Sequence, residues 1–230
     1  MHTLVGGAAQ TIIAAAGSLH ATLIVLCSHG YTGFQHWMLG SVAEKVIRHA
    51  PIPVFVLREG GPELATEVQQ PVRALVALDG SSLSEAILEP AAALTAGLAQ
   101  ATSQPGALQL IRVVDILSSY GRFRSQVDSY YDAQVRAEAT HEYEQYLQTV
   151  TTRIAEGTLE KYHLAVSSVV TTDPDVAEAI VQAAEQGKVD FIAMATHGRG
   201  GVQHWALGSI TERVLHATRM PLFIVRPQDA

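Results

Sequence analysis

Cysteine is nearly absent from this 230-residue chain: Cys27 stands alone. That excludes an intramolecular disulfide framework and a cysteine-built zinc site, and it suits a reducing, cytoplasmic setting. Runs of Lys or Arg are also missing, and 15 basic residues are outweighed by 22 acidic ones. Neither nucleic acid nor an anionic membrane is therefore expected as the main partner. No stretch approaches the roughly 18 unbroken apolar residues of a membrane-spanning helix. The segment from Met1 to Ala16 is rich in small apolar residues but has no basic flank, which predicts a helix rather than a signal peptide. What is abundant is apolar content, 48% of the chain, enough for a buried α/β core.

The chain repeats itself at a shift of about 168 residues. Cys27-Ser28-His29-Gly30 overlies Ala195-Thr196-His197-Gly198. The run Gly33 to Ser41, with its His36-Trp37 pair, overlies Gly201 to Ser209, with His204-Trp205, and Pro53-Val54-Phe55-Val56 overlies Pro221-Leu222-Phe223-Ile224. So long a shift leaves room for a whole domain between equivalent points, which excludes a solenoid and indicates a tandem.

Between the copies the pattern alternates. Arg73 to Leu78 reads as a strand ending at Asp79-Gly80-Ser81-Ser82, followed by a helix over Leu83 to Ala99 and a strand over Leu108 to Val114. A long amphipathic helix is predicted from about Asp128 to Ile154, with Tyr131, Val135, Tyr143 and Tyr146 at helical spacing. Then come a strand at Leu164 to Val170, a helix at Asp175 to Gln186, a strand at Phe191 to Ala195, a glycine loop, a helix at Ser209 to Ala217 and a strand at Pro221 to Val225. Apolar strands alternating with helices predict an α/β domain, a doubly wound five-stranded parallel sheet of order 3-2-1-4-5 covered on both faces. That domain spans 72–227; residues 1–60 repeat only its last part, helix, strand four, loop, helix and strand five, and 61–71 form a linker. Two strands cannot bury such a core alone, so the fragment's strand at Pro53 to Leu57 is expected to pair with the last strand, within one chain or between two in a homodimer.

In an open α/β sheet the ligand crevice lies at the carboxyl ends of the strands, where the winding reverses. Asp79 ends strand one and the loop from Ala195 to Ser209 follows strand four, so both converge there. Gly198 permits close approach of a ligand, and Gly208 and Ser209 open a helix whose free N–H groups favour an anion, with hydroxyls from Ser209 and Thr211. No Gly-Lys-Ser/Thr is present, which excludes a Walker loop. Ser209-Ile210-Thr211-Glu212 and Ser41-Val42-Ala43-Glu44 also fit a capping box that needs no ligand.

This arrangement is similar to the universal stress protein family, whose nucleotide-binding members carry Gly-x2-Gly-x9-Gly-Ser/Thr; here Gly198-x9-Gly208-Ser209 fits. The resemblance covers 72–227 as a whole domain and 1–58 as a carboxyl-terminal part. It implies an adenine nucleotide alpha hydrolase-like fold binding ATP, ADP or AMP, with or without Mg2+. It implies a role in stress response by sensing, with at most slow hydrolysis. By that resemblance Asp79 holds the ribose, Ala77 and Val113 flank the adenine, and Leu78 lies beside them. Met194 and Ala195 line the start of the loop, and Gly198, Gly208, Ser209, Ile210 and Thr211 contact phosphates. The family's first glycine is Ala195 here and Cys27 upstream; the upstream copy also lacks counterparts of Asp79 and Val113, so Gly30, Gly40 and Ser41 offer only a half-site. Two alternatives stay open: an interaction module of the same fold without nucleotide, and a small α/β enzyme acting on a phosphorylated or adenylated substrate.

The remaining signals read as structural. The repeated histidines lack carboxylates at ligand spacing, Ser28-His29 has no nucleophile elbow, and Arg122 and Arg124 suit a solvated loop. Asp79 could instead cap the following helix, and Cys27 is expected to be an inert residue of a buried strand.

Overall fold

The computed structural model describes residues 7–27, 39–58, 70–115, 129–157, 159–196 and 207–227, with the side chains of 129–133 and 135 excepted. The upstream copy contributes α1 (Ala8–Ser18), β1 (Ile24–Cys27), α2 (Ser41–His49) and β2 (Val54–Leu57). The downstream copy contributes β3 (Val72–Ala77), α3 (Ser82–Glu85), α4 (Leu88–Thr102), β4 (Gly106–Val114), α5 (Ser129–Ala155) and β5 (Ala165–Thr172). It ends with α6 (Val176–Gln186), β6 (Phe191–Ala195), α7 (Ser209–Ala217) and β7 (Leu222–Val225), and a 3-10 turn at Glu160–Tyr162 precedes β5.

All seven strands form one sheet of order β1-β2-β7-β6-β3-β4-β5. Every pairing is parallel except β2 with β7, which join the two copies antiparallel, Val54 opposite Ile224 and Val56 opposite Leu222. Within 72–227 the chain starts at β3 in the middle, winds outward to β4 and β5, then crosses β3 to reach β6 and β7. The winding reverses between β3 and β6.

Alternation along the strands divides the core into two layers. Leu75, Ile111, Ile192, Met194 and Ile224 face α1, α2, α6 and α7. Ala74, Val76, Leu108, Leu110, Phe191 and Phe223 face α4 and α5. The middle strands are therefore apolar at nearly every position, while β5 at one edge carries Ser and Thr and is largely exposed or half-buried.

Two expectations need correction. The helix expected over Leu83 to Ala99 is two helices: a single turn capped by Ser81, whose hydroxyl accepts from Ser84 N at 3.1 Å, and then α4. Pro90 explains the restart, because proline lacks the N–H that a helix interior needs but is tolerated in the first turn, where it falls. The second correction is Cys27. It is exposed, as is Val25 at 55%, because β1 is the outer strand of the sheet and part of its surface is left open.

Candidate functional site

The carboxyl ends of β3, β4 and β6 bring together most of the residues singled out from the sequence. Ala77 and Val113 are half-buried on the α6/α7 side of the sheet, packed against the same cluster that holds the buried Met194. Leu78 lies beyond β3, buried on the opposite side, with its N–H donating to Ile111 O at 2.9 Å. Ala195 is buried at the end of β6. These residues surround the point where the winding reverses.

Asp79 follows Leu78 and is half-buried. Its Oδ1 accepts from Ser81 N at 2.9 Å and from Ser81 Oγ at 2.6 Å, while Asp79 N donates to Ser84 Oγ at 3.3 Å. Asp79 thus does not cap α3; it fixes Ser81, which does. Gly80 completes the turn with φ +86, a left-handed conformation that a side chain would strain.

On the facing side, α7 begins with Gly208 as N-cap. A glycine has no side chain to bond the first-turn N–H groups, so Ser209, Ile210 and Thr211 present them without a side-chain cap from that position. The capping box expected at Ser209 to Glu212 is accordingly not formed, and neither is the one at Ser41, because Gly40 is the N-cap of α2. The box glutamates have another partner. Arg48 binds Glu44 Oε1 at 2.9 Å and Glu212 Oε1 at 3.0 Å, bridging the equivalent helices of the two copies.

Gly208 is close-packed as well as helix-opening. Its N–H donates to Thr196 O at 2.7 Å, and a Cβ built on it would stand 2.7 Å from the same oxygen. Thr211, 5% exposed, donates its hydroxyl to Ala195 O at 2.9 Å, which ties α7 to the end of β6. Ser209 is exposed and Ile210 half-buried. Gly198 and Gly30 lie outside the described residues, as do His29, His36, His197, His204, Arg122 and Arg124. Of the upstream half-site, Gly40 is half-buried and Ser41 exposed. No group of three His, Cys, Asp or Glu suited to a metal ion occurs among the described residues. No described helix is long and apolar enough to cross a membrane.

Sequence reasoning missed Arg112. It lies on β4 between Ile111 and Val113, is 3% exposed, and points to the α5 side. Its guanidinium carbon stands 3.4 Å from the Tyr143 ring centroid and 4.7 Å from that of Tyr146. Tyr146 donates its hydroxyl to Glu85 Oε1 at 2.9 Å, and Glu85 also binds Arg153. Burial first, and then the hydrogen bond and charge of Glu85, push the Tyr146 phenol well above the ordinary tyrosine value. A lone arginine in the apolar run Leu-Gln-Leu-Ile-Arg-Val-Val was the available signal.

Comparison with known proteins places this geometry. The sequence model described as the Universal stress protein family matches residues 1–58 and 72–226. The chain is 29% identical to universal stress protein Rv2005c of Mycobacterium tuberculosis over 91% of its own length and 63% of the relative's. It is 30% identical to Rv2623 of the same organism over 88% of its length and 61% of the relative's. The chain thus spans about three fifths of these relatives. Among solved structures, a functionally unknown Pseudomonas aeruginosa protein, PA1789, superposes with a TM-score of 0.63 over 99% of this chain and 69% of the other, at 15% identity. That likeness is one of fold. A mostly parallel sheet, a repeated strand-loop-helix unit and a family match over both copies lead to one conclusion: the chain belongs to the universal stress protein family.

Proposed function

We propose that residues 72–227 bind an adenine nucleotide, ATP or its di- or monophosphate, with or without Mg2+, and act in stress signalling by occupancy rather than turnover. One observation carries this reading. At the β3/β6 reversal, the Asp79 carboxylate, the apolar wall of Ala77, Val113 and Met194, and the glycine-opened start of α7 converge on one end of the sheet. In this reading Asp79 receives ribose hydroxyls, the wall receives the base, and the N–H groups of Ser209, Ile210 and Thr211, with Gly198, receive phosphates. With Asp79 read as the sugar ligand, no general base among the described residues is assigned to the terminal phosphate. The upstream unit is read as the end of a first domain of the same kind, and Gly30, Gly40 and Ser41 as a half-site.

A second reading has its own support: Gly208 is required by its contact with Thr196 O whether or not a ligand binds, as in a pure interaction module that dimerises through its surfaces. The two separate in one experiment. Denaturing the purified protein should release adenine absorbance, and calorimetric titration with ATP, with and without Mg2+, should give saturable heat that Asp79→Ala weakens. No released nucleotide and no heat would overturn the nucleotide reading and favour the interaction module.

A further inference from the structure

Asp79 and the long helix α5 come from different parts of the chain, yet one buried cation touches the structures of both. The Arg112 guanidinium lies on the Tyr143 ring on one side. On the other it lies against Gly80, where the Cζ, Nη1 and Nη2 atoms are each 2.8 Å from the position a Cβ would occupy. A Cβ on Gly80 would force the guanidinium to shift, and only glycine adopts the φ of +86 without strain. Arg112 Nη2 is buried and makes no hydrogen bond among the described residues. Its charge is stabilised by the faces of Tyr143 and Tyr146, and no carboxylate among the described residues pairs with it at salt-bridge distance. Such a stack demands a flat cation, which lysine is not.

The same tyrosines hold the far end of the loop. Tyr146 is hydrogen-bonded to Glu85 on α3, and Ser81 and Ser84, which close the turn around Asp79, belong to that helix and its cap. Gly80 is therefore pressed from below by Arg112, while α3 is held from the side by Tyr146 and Arg153. We propose that Arg112 is a positioning residue: wedged between Gly80 and the α5 tyrosines, it sets the Asp79 turn and so governs recognition of the ribose hydroxyls. The ribose clause rests on the nucleotide reading above; the wedge does not.

The test has two arms on the full chain. The first is amide hydrogen exchange in wild type, Arg112→Met and Tyr143→Leu. Exchange at Ser81 and Ser84 should accelerate at least about tenfold in both variants, while Ala177 and Glu178, capped by Asp175 on the other face, keep their rates. Arg112→Lys, which keeps charge without the plane, should fail to restore wild-type rates. Unchanged exchange at Ser81 and Ser84, or equal acceleration at all four sites, overturns the wedge. The second arm titrates ATP against 2′,3′-dideoxy-ATP. Wild type should prefer ATP by about tenfold and Arg112→Met by less than about threefold, with dideoxy-ATP affinity nearly unchanged. A preference retained in Arg112→Met overturns the ribose clause. Should wild type bind neither nucleotide, the nucleotide reading has failed, and the exchange arm alone decides the role of Arg112.

Discussion

Phe55 of β2 and Phe223 of β7 stand opposite one another in the antiparallel ladder and occupy the same position in the two sequence copies. Residue pairs on either side obey the same rule, since Val54 opposes Ile224 and Val56 opposes Leu222. The copies thus meet isologously, about a local two-fold that passes between the two phenylalanines. The Arg48 bridge to Glu44 and Glu212 departs from that symmetry, because the counterpart of Arg48 is His216.

The ring of Phe55 is edge-to-face with Phe223 at 6.3 Å and with Phe191 at 5.5 Å, and all three are at most 4% exposed. Truncating either Phe55 or Phe223 to alanine should cost about 3–5 kcal/mol of unfolding free energy. Changing both to alanine should cost less than the two single changes together, by about 1 kcal/mol, because each single variant already loses the ring pair. Urea titration of the four proteins measures this. Strict additivity would show that the rings do not act as a pair.

Gly208→Ala should lower stability by about 1–3 kcal/mol in the absence of any nucleotide. The added methyl would stand 2.7 Å from Thr196 O, a backbone atom that already receives the Gly208 N–H. Either α7 shifts or that hydrogen bond lengthens. Denaturation of ligand-free protein gives the answer, and an unchanged midpoint would remove the packing explanation for this glycine.

Much of this was legible in the order of residues. β6 and α7 end where periodicity places them, because an unbroken apolar run and a glycine-serine start are local features. The pairing of β2 with the last strand was legible as well, but side-chain contacts between distant segments were not. The break between α3 and α4 depended on Ser81 and Pro90 acting together, and the exposure of Cys27 on β1 lying at the sheet edge. The apparent capping boxes misled: the glutamates three residues past Ser41 and Ser209 turn to Arg48, which sequence spacing does not show. Arg112 was overlooked because its partners, Gly80 and two tyrosines, lie some 30 residues away on either side.

Removing Arg48 should matter little. It is about a quarter exposed, Glu44 and Glu212 are more so, and solvent screens such pairs. Arg48→Met should cost at most about 1 kcal/mol, and most of that loss should vanish in molar salt, where the screening length falls to about 3 Å. A larger, salt-independent loss would mean that the aliphatic stem packs the two copies together.

The Tyr146 phenol gives a pH signature. Its folded-state pKa is raised, chiefly by burial and next by the Glu85 carboxylate, while Arg112 pulls it the other way. A raised folded value means the stabilisation is complete below the ordinary phenol pKa of about 10 and is lost as pH rises towards the folded one. Tyr146 should therefore stay protonated in the folded protein above the ordinary phenol value, and alkaline unfolding should carry its phenolate absorbance with it. Glu85→Gln should move that ionisation down without normalising it, because burial remains. Tyr146→Phe should flatten the stability profile above about pH 10 while leaving neutral-pH stability within about 1–2 kcal/mol of wild type. Phenolate formation at Tyr146 at the ordinary phenol value while the protein stays folded would show that Glu85 and the α5 packing do not shield it.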